Sequence, residues 1–205
     1  MGGEDKGLIV LNQVPLYRYV LDRLSPQVSQ VIISANRNQQ HYQQSGLTVI
    51  GDTLPDFPGP LAGMLAGLQA APTEWVVFAP CDVPIFPTDL VARLWQGKRH
   101  ATAAFACAGG RDHPAFSLLH RRLIPALENT LARGDRKVML FFAQINAQRV
   151  VFPTEPQAFA TIVTVAANYC GSSSLIRATR SRRALSQFFG FCATNTLRIS
   201  RSRDG

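Results

Sequence analysis

Three apolar runs of this chain each end at a polar or acidic residue. They are residues 28–34 before Asn36, residues 47–50 before Asp52, and residues 74–79 before Asp82. Before the first run, Leu16, Tyr19, Val20 and Leu24 recur at helical spacing, and between the second and third runs residues 61–71 form another apolar helical segment. Strands that alternate with helices predict an α/β fold with a mostly parallel, doubly wound sheet.

The alternation continues along the rest of the first 152 residues. The sequence predicts further strands over 101–107, 115–119 and 148–152, helices over 88–96, 123–131 and 137–142, and an exposed loop over 109–114. No second domain or repeat is evident. We therefore expect one domain over residues 1–160, followed by a divergent tail over 161–205.

The tail carries most of the net charge of the chain. Residues 166–205 contain seven arginines and one acid, a charge of +6 out of +8. Because the segment has little apolar periodicity, we expect it to be poorly ordered and solvated. Binding of nucleic acid through phosphate contacts is the alternative, but we do not expect nucleic acid among the partners.

Ligands of doubly wound sheets bind at the carboxyl ends of the strands. The strand ends here carry Ser34, Asp52 and Asp82. A carboxylate at Asp82 suits Mg²⁺, which retains waters and bridges to substrate phosphates. Asp52 could accept hydrogen bonds from a ribose or a base. The alternative for both aspartates is an ordinary turn at the end of a strand.

A glycine-rich segment, MGGEDKGL, opens the chain. Glycines allow backbone N–H groups to approach phosphate oxygens, and the ammonium of Lys6 would neutralise phosphate charge. An ordinary turn explains this pattern equally well. His113, in a polar segment, is a candidate general base or simply an exposed histidine. No Ser/His/Asp arrangement is evident.

The bulk properties exclude several classes of protein. No apolar stretch reaches the roughly 18 residues that a membrane helix needs. The N-terminus lacks the pattern of a signal peptide. The four cysteines are scattered and form no metal-binding pattern. We therefore expect a cytoplasmic protein with free thiols, without membrane association, and a monomer.

Ordered motifs across residues 1–159 resemble the molybdenum cofactor guanylyltransferases, the MobA family. They are MGGEDKGL at 1–8, VIISANRN at 31–38, GD at 51–52, PGPLAGM at 58–64, WVVFAPCDVP at 75–84, RDHPAFSL at 111–118 and GDRKVMLFF at 134–142. The resemblance implies a Rossmann-like nucleotidyltransferase domain. It also implies transfer of GMP from GTP·Mg²⁺ to the molybdopterin form of the molybdenum cofactor, with release of pyrophosphate.

The same resemblance assigns roles to individual residues. Lys6 matches the lysine that contacts GTP phosphates, Asp52 matches a GTP-binding aspartate, and Asp82 matches the Mg²⁺ ligand. Ser34 matches a guanosine-contacting position at which the family has asparagine. Gly3, Gly59 and Gly63 match glycines near the nucleotide and pterin cleft. Lys6 and Asp82 are thus the expected catalytic residues, and other proteins of cofactor biosynthesis are candidate partners.

Two departures from the family pattern stand at the ends of this sequence. The family has a strand and a Leu-Ala-Gly-Gly loop before the position of Met1, and asparagines at the positions of Thr161 and Val163. From these differences we expect that Met1 is an internal methionine, that a frameshift or fusion produced the tail, and that this chain is less active than the family. A sugar-phosphate nucleotidyltransferase and a non-catalytic binding protein are the alternative functions.

Overall fold

The structure is a computed structural model, and it describes residues 5–52, 59–153, 158–159 and 190–194. Its centre is a seven-stranded sheet with the strand order β4-β3-β9-β5-β7-β6-β8. The strands are β3 (Gln30–Ser34), β4 (Thr48–Ile50), β5 (Trp75–Pro80), β6 (Ala103–Ala108), β7 (Arg111–His120), β8 (Gln148–Phe152) and β9 (Gly190–Thr194). A separate hairpin joins β1 (Val10–Leu11) to β2 (Val14–Pro15).

Helices connect most of these strands. They are α1 (Leu16–Leu24), α2 (Gln39–Gln43), α3 (Pro60–Ala70), α4 (Leu90–Gly97), α5 (Ile124–Ala132) and α6 (Val138–Gln144). Proline lies at the start of several: Pro15 precedes α1 in an extended conformation, and Pro60 opens α3. Its fixed φ and missing N–H suit the first turn, where the N–H has no partner within the helix. None of the helices in the described ranges is long and apolar enough to cross a membrane.

Both faces of the sheet are covered by helices. On one face, α1 and α4 contribute Val20, Leu24 and Leu94 to a core that includes Val31 and Val77. On the other face, α3, α5 and α6 pack against Ile32, Val76 and Phe78. Neighbouring residues of β3 and β5 are therefore buried on opposite faces, which explains why these strands are continuously apolar in the sequence. The predicted doubly wound α/β class is confirmed.

Most strands point in one direction, but the sheet is mixed. β3 is parallel to β4 and β6 is parallel to β8, whereas β7 and β9 are antiparallel to their neighbours. The prediction of an exposed loop over 109–114 is wrong. Gly109 and Gly110 have φ of 56° and 74°, and they form a two-residue turn that pairs Ala108 with Arg111. Both positions need positive φ in such a hairpin, so Arg111 already belongs to β7.

The central position between β3 and β5 is occupied by β9, from the segment that we expected to be poorly ordered. Its backbone pairs Cys192 with Ile32 on one side and with Phe78 on the other, antiparallel to both. The rest of residues 160–205, including the asparagine-equivalent positions Thr161 and Val163, lies outside the described residues. The division into a domain over 1–160 and a tail over 161–205 therefore stays a prediction.

Candidate active site

The structure brings Lys6 and Asp82 together. A short 3₁₀ turn (Lys6–Leu8), with Asp5 as its N-cap, presents the lysine. The Lys6 Nζ atom lies 3.5 Å from Oδ2 of Asp82, which follows the end of β5 at Pro80. The two side chains are 48% and 21% exposed, so the pair remains accessible to solvent and to a ligand. The ammonium of Lys6 and the carboxylate of Asp82 therefore lie together at the carboxyl end of β5.

The donors at this position fit a metal ion that arrives with its substrate. No group of three or more His, Cys, Asp or Glu side chains that could hold a metal occurs among the described residues. Mg²⁺ is commonly bound by one or two carboxylates plus phosphate oxygens and water. The accessible carboxylate of Asp82 meets that requirement, whereas a closed cage of protein ligands would need more donors.

Asp52 is held at the end of β4 by Asn36. The Asn36 amide Nδ2 donates to Asp52 Oδ2 at 2.7 Å, and the Asp52 backbone N–H donates to Asn36 Oδ1 at 2.7 Å. Partial burial raises the pKa of the Asp52 carboxyl above its usual value, and the Asn36 hydrogen bond opposes that shift. Asp52 is therefore a fixed, half-buried acceptor.

Ser34 and Gly63 lie beside Asp52. A Cβ atom added at Gly63, in α3, would stand 3.6 Å from Asp52 Oδ1 and 3.8 Å from Ser34 Oγ. Helix α3 therefore approaches both polar groups at a position without a side chain. Gly59, at φ 91°, is the N-cap of α3 and adopts a conformation that favours glycine. Gly3 lies outside the described residues.

A small pocket connects Ser34 and Gly63 to the neighbouring strands. Its volume is about 30 Å³, and it is lined by Ser34, Pro60, Gly63, Met64, Phe78, Ala79 and Ala115. The lining is mostly apolar, with the Ser34 hydroxyl as its polar side-chain group.

His113 packs against an aromatic ring. It stacks on Phe159 with ring centroids 5.0 Å apart and an interplanar angle of 24°. Burial lowers the pKa of its imidazole, and the nearby charge of Arg111 lowers it further. The neutral ring therefore has a packing role, and these contacts do not identify it as a general base.

Sequence reasoning gave no role to Asp5 or Tyr42. Asp5 is 8% exposed and Tyr42 is 1% exposed, and the Tyr42 hydroxyl donates to Asp5 Oδ1 at 2.7 Å. The position of Asp5 directly before Lys6 was the available signal in the sequence. Tyr42 gave no such signal, because it lies in a polar segment in which we predicted no helix.

Comparisons with known proteins identify the family of this chain. The model of the MobA-like NTP transferase domain matches residues 1–150. A molybdenum cofactor guanylyltransferase of Yersinia pestis (strain Pestoides F) is 57% identical over 166 residues, covering 81% of this chain and 85% of the relative. A protein of the same description from Yersinia pseudotuberculosis serotype O:1b (strain IP 31758) matches with the same identity and coverage.

Solved structures share the fold at low sequence identity. Molybdopterin-guanine dinucleotide biosynthesis protein A from Archaeoglobus fulgidus superposes with a TM-score of 0.58 and 20% identity, over 73% of this chain and 76% of that one. The 2-C-methyl-D-erythritol 4-phosphate cytidylyltransferase from Thermus thermophilus gives a TM-score of 0.55 and 16% identity, over 75% and 86%. The predicted nucleotidyltransferase fold and the predicted family are confirmed: the chain belongs to the MobA-like NTP transferases.

Proposed function

We propose that the protein transfers GMP from GTP to the terminal phosphate of the molybdopterin form of the molybdenum cofactor. A phosphate oxygen of the acceptor bonds to the α-phosphorus of GTP, the bond from that phosphorus to the bridging oxygen breaks, and pyrophosphate leaves. The relatives named for this activity support the proposal. The pairing of Lys6 with Asp82 at an open strand end is the structural observation that carries it.

Lys6 would neutralise charge on the phosphates. Its ammonium is half-exposed and already lies beside a carboxylate, so an incoming triphosphate can compete for it. Charge on the phosphate oxygens is what the protein must stabilise in such a transfer, and positioned cations do this best. Lys6 is therefore the residue that we assign to the phosphates of GTP.

Asp82 would hold Mg²⁺ together with phosphate oxygens of the substrate. Bound there, the ion would supply Lewis-acid stabilisation of the phosphate charge. Asp82 remains accessible for this role because its side chain is 21% exposed.

The other polar groups form a nucleoside-binding surface. Asp52 is a fixed acceptor for ribose hydroxyls or base N–H groups, and Ser34 adds a hydroxyl on the neighbouring strand. Gly63 leaves room between these two groups. We assign Gly3 and Gly59 to the same cleft by family resemblance alone.

The proposed reaction needs no strong general base. The attacking group is a phosphate that already carries negative charge at neutral pH. Placement in line with the leaving group and neutralisation of charge are then the main requirements. The packing role of His113 is consistent with this chemistry.

Calorimetric titration of the purified chain with GTP and MgCl₂, with ATP and CTP in parallel, tests the nucleotide assignment. Selective GTP binding is expected. Release of pyrophosphate on addition of the molybdopterin cofactor then tests the transfer. Folded protein that binds CTP or ATP as tightly as GTP would contradict the proposal and favour another nucleotidyltransferase.

Single substitutions test the functional roles of Asp82 and Lys6 separately from their effects on the fold. Asp82→Ala should lower transfer by about 100-fold or more, because a bound metal supplies several kcal/mol to the transition state. Lys6→Ala should weaken GTP binding. Asp89→Ala is the matched control, since it removes another exposed ion pair, the one with Arg93, and should leave transfer unchanged. Full turnover in Asp82→Ala would remove Asp82 from the metal role.

We also propose that the protein acts as a monomer in the cytoplasm, with GTP and molybdopterin as its small-molecule substrates and with proteins of cofactor biosynthesis as candidate partners. The scattered cysteines support a reducing compartment. Light scattering at micromolar concentration measures the oligomeric state, and a mass of twice 22.5 kDa would contradict the monomer.

A further inference from the structure

A buried carboxylate fixes the turn that presents Lys6. Asp5 accepts a hydrogen bond from the Gly7 backbone N–H at 3.2 Å, from Tyr42 Oη at 2.7 Å and from Asn38 Nδ2 at 3.2 Å. Two of these donors come from the segment around α2, far along the chain from the turn. The carboxylate therefore connects the turn to the body of the domain.

The turn also touches the residue before Asp82. A Cβ atom added at Gly7 would lie 2.5 Å from Tyr42 Oη and 3.0 Å from Cys81 Sγ. The backbone at Gly7 therefore packs closely against the Tyr42 hydroxyl and the Cys81 side chain, with no room for a side chain of its own. Because Lys6 and Asp82 are the chain neighbours of Gly7 and Cys81, this contact sets where the two charged side chains begin.

Burial of the Asp5 carboxylate costs free energy unless all of its hydrogen-bond donors are in place. A carboxylate taken out of water loses hydration, which hydrogen bonds from fixed donors must replace. Burial raises the pKa of the Tyr42 hydroxyl far above its usual range, so it remains a donor at every ordinary pH. Two apolar side chains would fill the same space at a lower cost in desolvation free energy. Packing alone therefore does not explain why the polar residues Asp5 and Tyr42 occupy these positions.

We propose that Asp5 and Tyr42 are positioning residues that hold the Lys6 ammonium beside Asp82, ready for the phosphates. Neither touches the reacting atoms; both act through the turn. The proposal rests on the function proposed above. It deepens that function by naming the groups that set the geometry of its two charged residues.

Tyr42→Phe tests the proposal because it removes the hydroxyl and keeps the ring that packs on Tyr17. We expect GTP·Mg²⁺ affinity to fall about tenfold, or about 1.4 kcal/mol. In a Lys6→Ala background the same substitution should change affinity little, since it acts through Lys6. Tyr19→Phe is the matched control: it removes a hydroxyl that donates to the Leu11 carbonyl at 2.8 Å, and it should leave affinity unchanged.

Hydrogen exchange supplies a readout that needs no nucleotide. Tyr42→Phe should speed amide exchange over residues 6–8 and leave β5 protected as before. Unchanged exchange at 6–8, or an equal loss of affinity with and without Lys6, would overturn the positioning role. If the parent chain binds no GTP while exchange at 6–8 still rises in Tyr42→Phe, the proposed function fails and the positioning of the turn stands.

Discussion

Asn36 and Asp52 bind each other through two hydrogen bonds of 2.7 Å, one in each direction. The Asn36 amide group reaches the Asp52 carboxylate, and its carbonyl oxygen receives the Asp52 backbone N–H. The pair joins the loop after β3 to the end of β4. Its geometry leaves Oδ1 of Asp52 directed toward Gly63, on the side where Ser34 also lies.

Replacing Asn36 should weaken nucleotide binding through Asp52. Asn36→Ala removes the amide donor and the acceptor that hold Asp52, so we expect GTP affinity to fall about tenfold in calorimetry. Gln39→Ala is the matched control, because it removes a neighbouring amide that donates to the Ala35 carbonyl instead. Equal losses in the two variants would mean that the loop, and not Asp52, was disturbed.

Asp52 should make the fold less stable as the pH rises. Its pKa in the folded state is raised above 3.8 by burial, so the folded protein holds this proton more tightly than the unfolded chain does. The contribution to stability is therefore complete below pH 3.8 and is lost as the pH rises through the folded-state pKa. Asp52→Asn should remove that loss and raise the unfolding free energy at pH 7 by roughly a few tenths of a kcal/mol, since solvent screens a half-buried group.

Urea unfolding of both proteins at several pH values above 3.8 measures this difference. The stability gap between Asp52→Asn and the parent should widen as the pH rises and should then level off. The same variant should bind GTP more weakly, because an amide replaces one acceptor oxygen with a donor. If the stability difference between the two proteins narrowed with rising pH, the pKa of Asp52 would be lowered in the folded state and not raised.

Gly63→Ala should separate binding from stability. The added methyl meets Asp52 and Ser34 only at ordinary contact distances, and alanine favours a helix over glycine by roughly 0.5–1 kcal/mol. We expect an unchanged or slightly raised unfolding free energy and about tenfold weaker GTP binding, because the methyl occupies the space between the two polar groups.

Gly97→Ala should show the opposite pattern. Its Cβ would stand 2.6 Å from a methyl of Val150, and overpacking of this kind costs roughly 1–3 kcal/mol. GTP affinity of the folded fraction should be unchanged. Thermal unfolding and calorimetry on both variants check the contrast, which would be lost if Gly63 mattered only for packing.

Strand β9 should be required for stability. Cys192→Pro removes a backbone N–H at a position paired with both Ile32 and Phe78, and a proline in a central strand is strongly unfavourable. We expect a loss of at least about 1–3 kcal/mol in unfolding free energy, because a buried backbone hydrogen-bond partner is left unsatisfied. Cys192→Ala keeps the N–H and should cost much less. Equal stability of these two variants would show that the segment is not paired within the sheet.

The parts of the fold that local pattern determines could be predicted from the sequence. β3 and β5 are apolar on both faces because helices cover both, and Asp82 follows β5 as its sequence suggests. Lys6 and Asp82 were each predicted separately. Their contact at 3.5 Å depends on how the first turn packs on Cys81, which no local pattern reveals.

Two of the features that the sequence did not reveal are set by distant contacts. Tyr42 lies in a five-residue helix that is too short to give an apolar period, and its partner Asp5 is far away in the chain. The pairing of β9 depends on two strand edges that other parts of the chain create. Gly109 and Gly110 were predicted to lie in a longer loop. A pair of glycines is typical both of a tight two-residue turn and of a longer loop, so composition alone does not distinguish the two.

The place of β9 has a consequence for how the protein is made. β3 and β5 are complete by Pro80, yet the strand that joins them begins at Gly190, about 110 residues later. At a ribosomal rate of ~5–20 residues per second, the two strands wait roughly 5–20 s for their shared neighbour. During that interval their unpaired backbone groups are open to other nascent chains, so the yield of native protein should depend on chaperones that shield strand edges during synthesis.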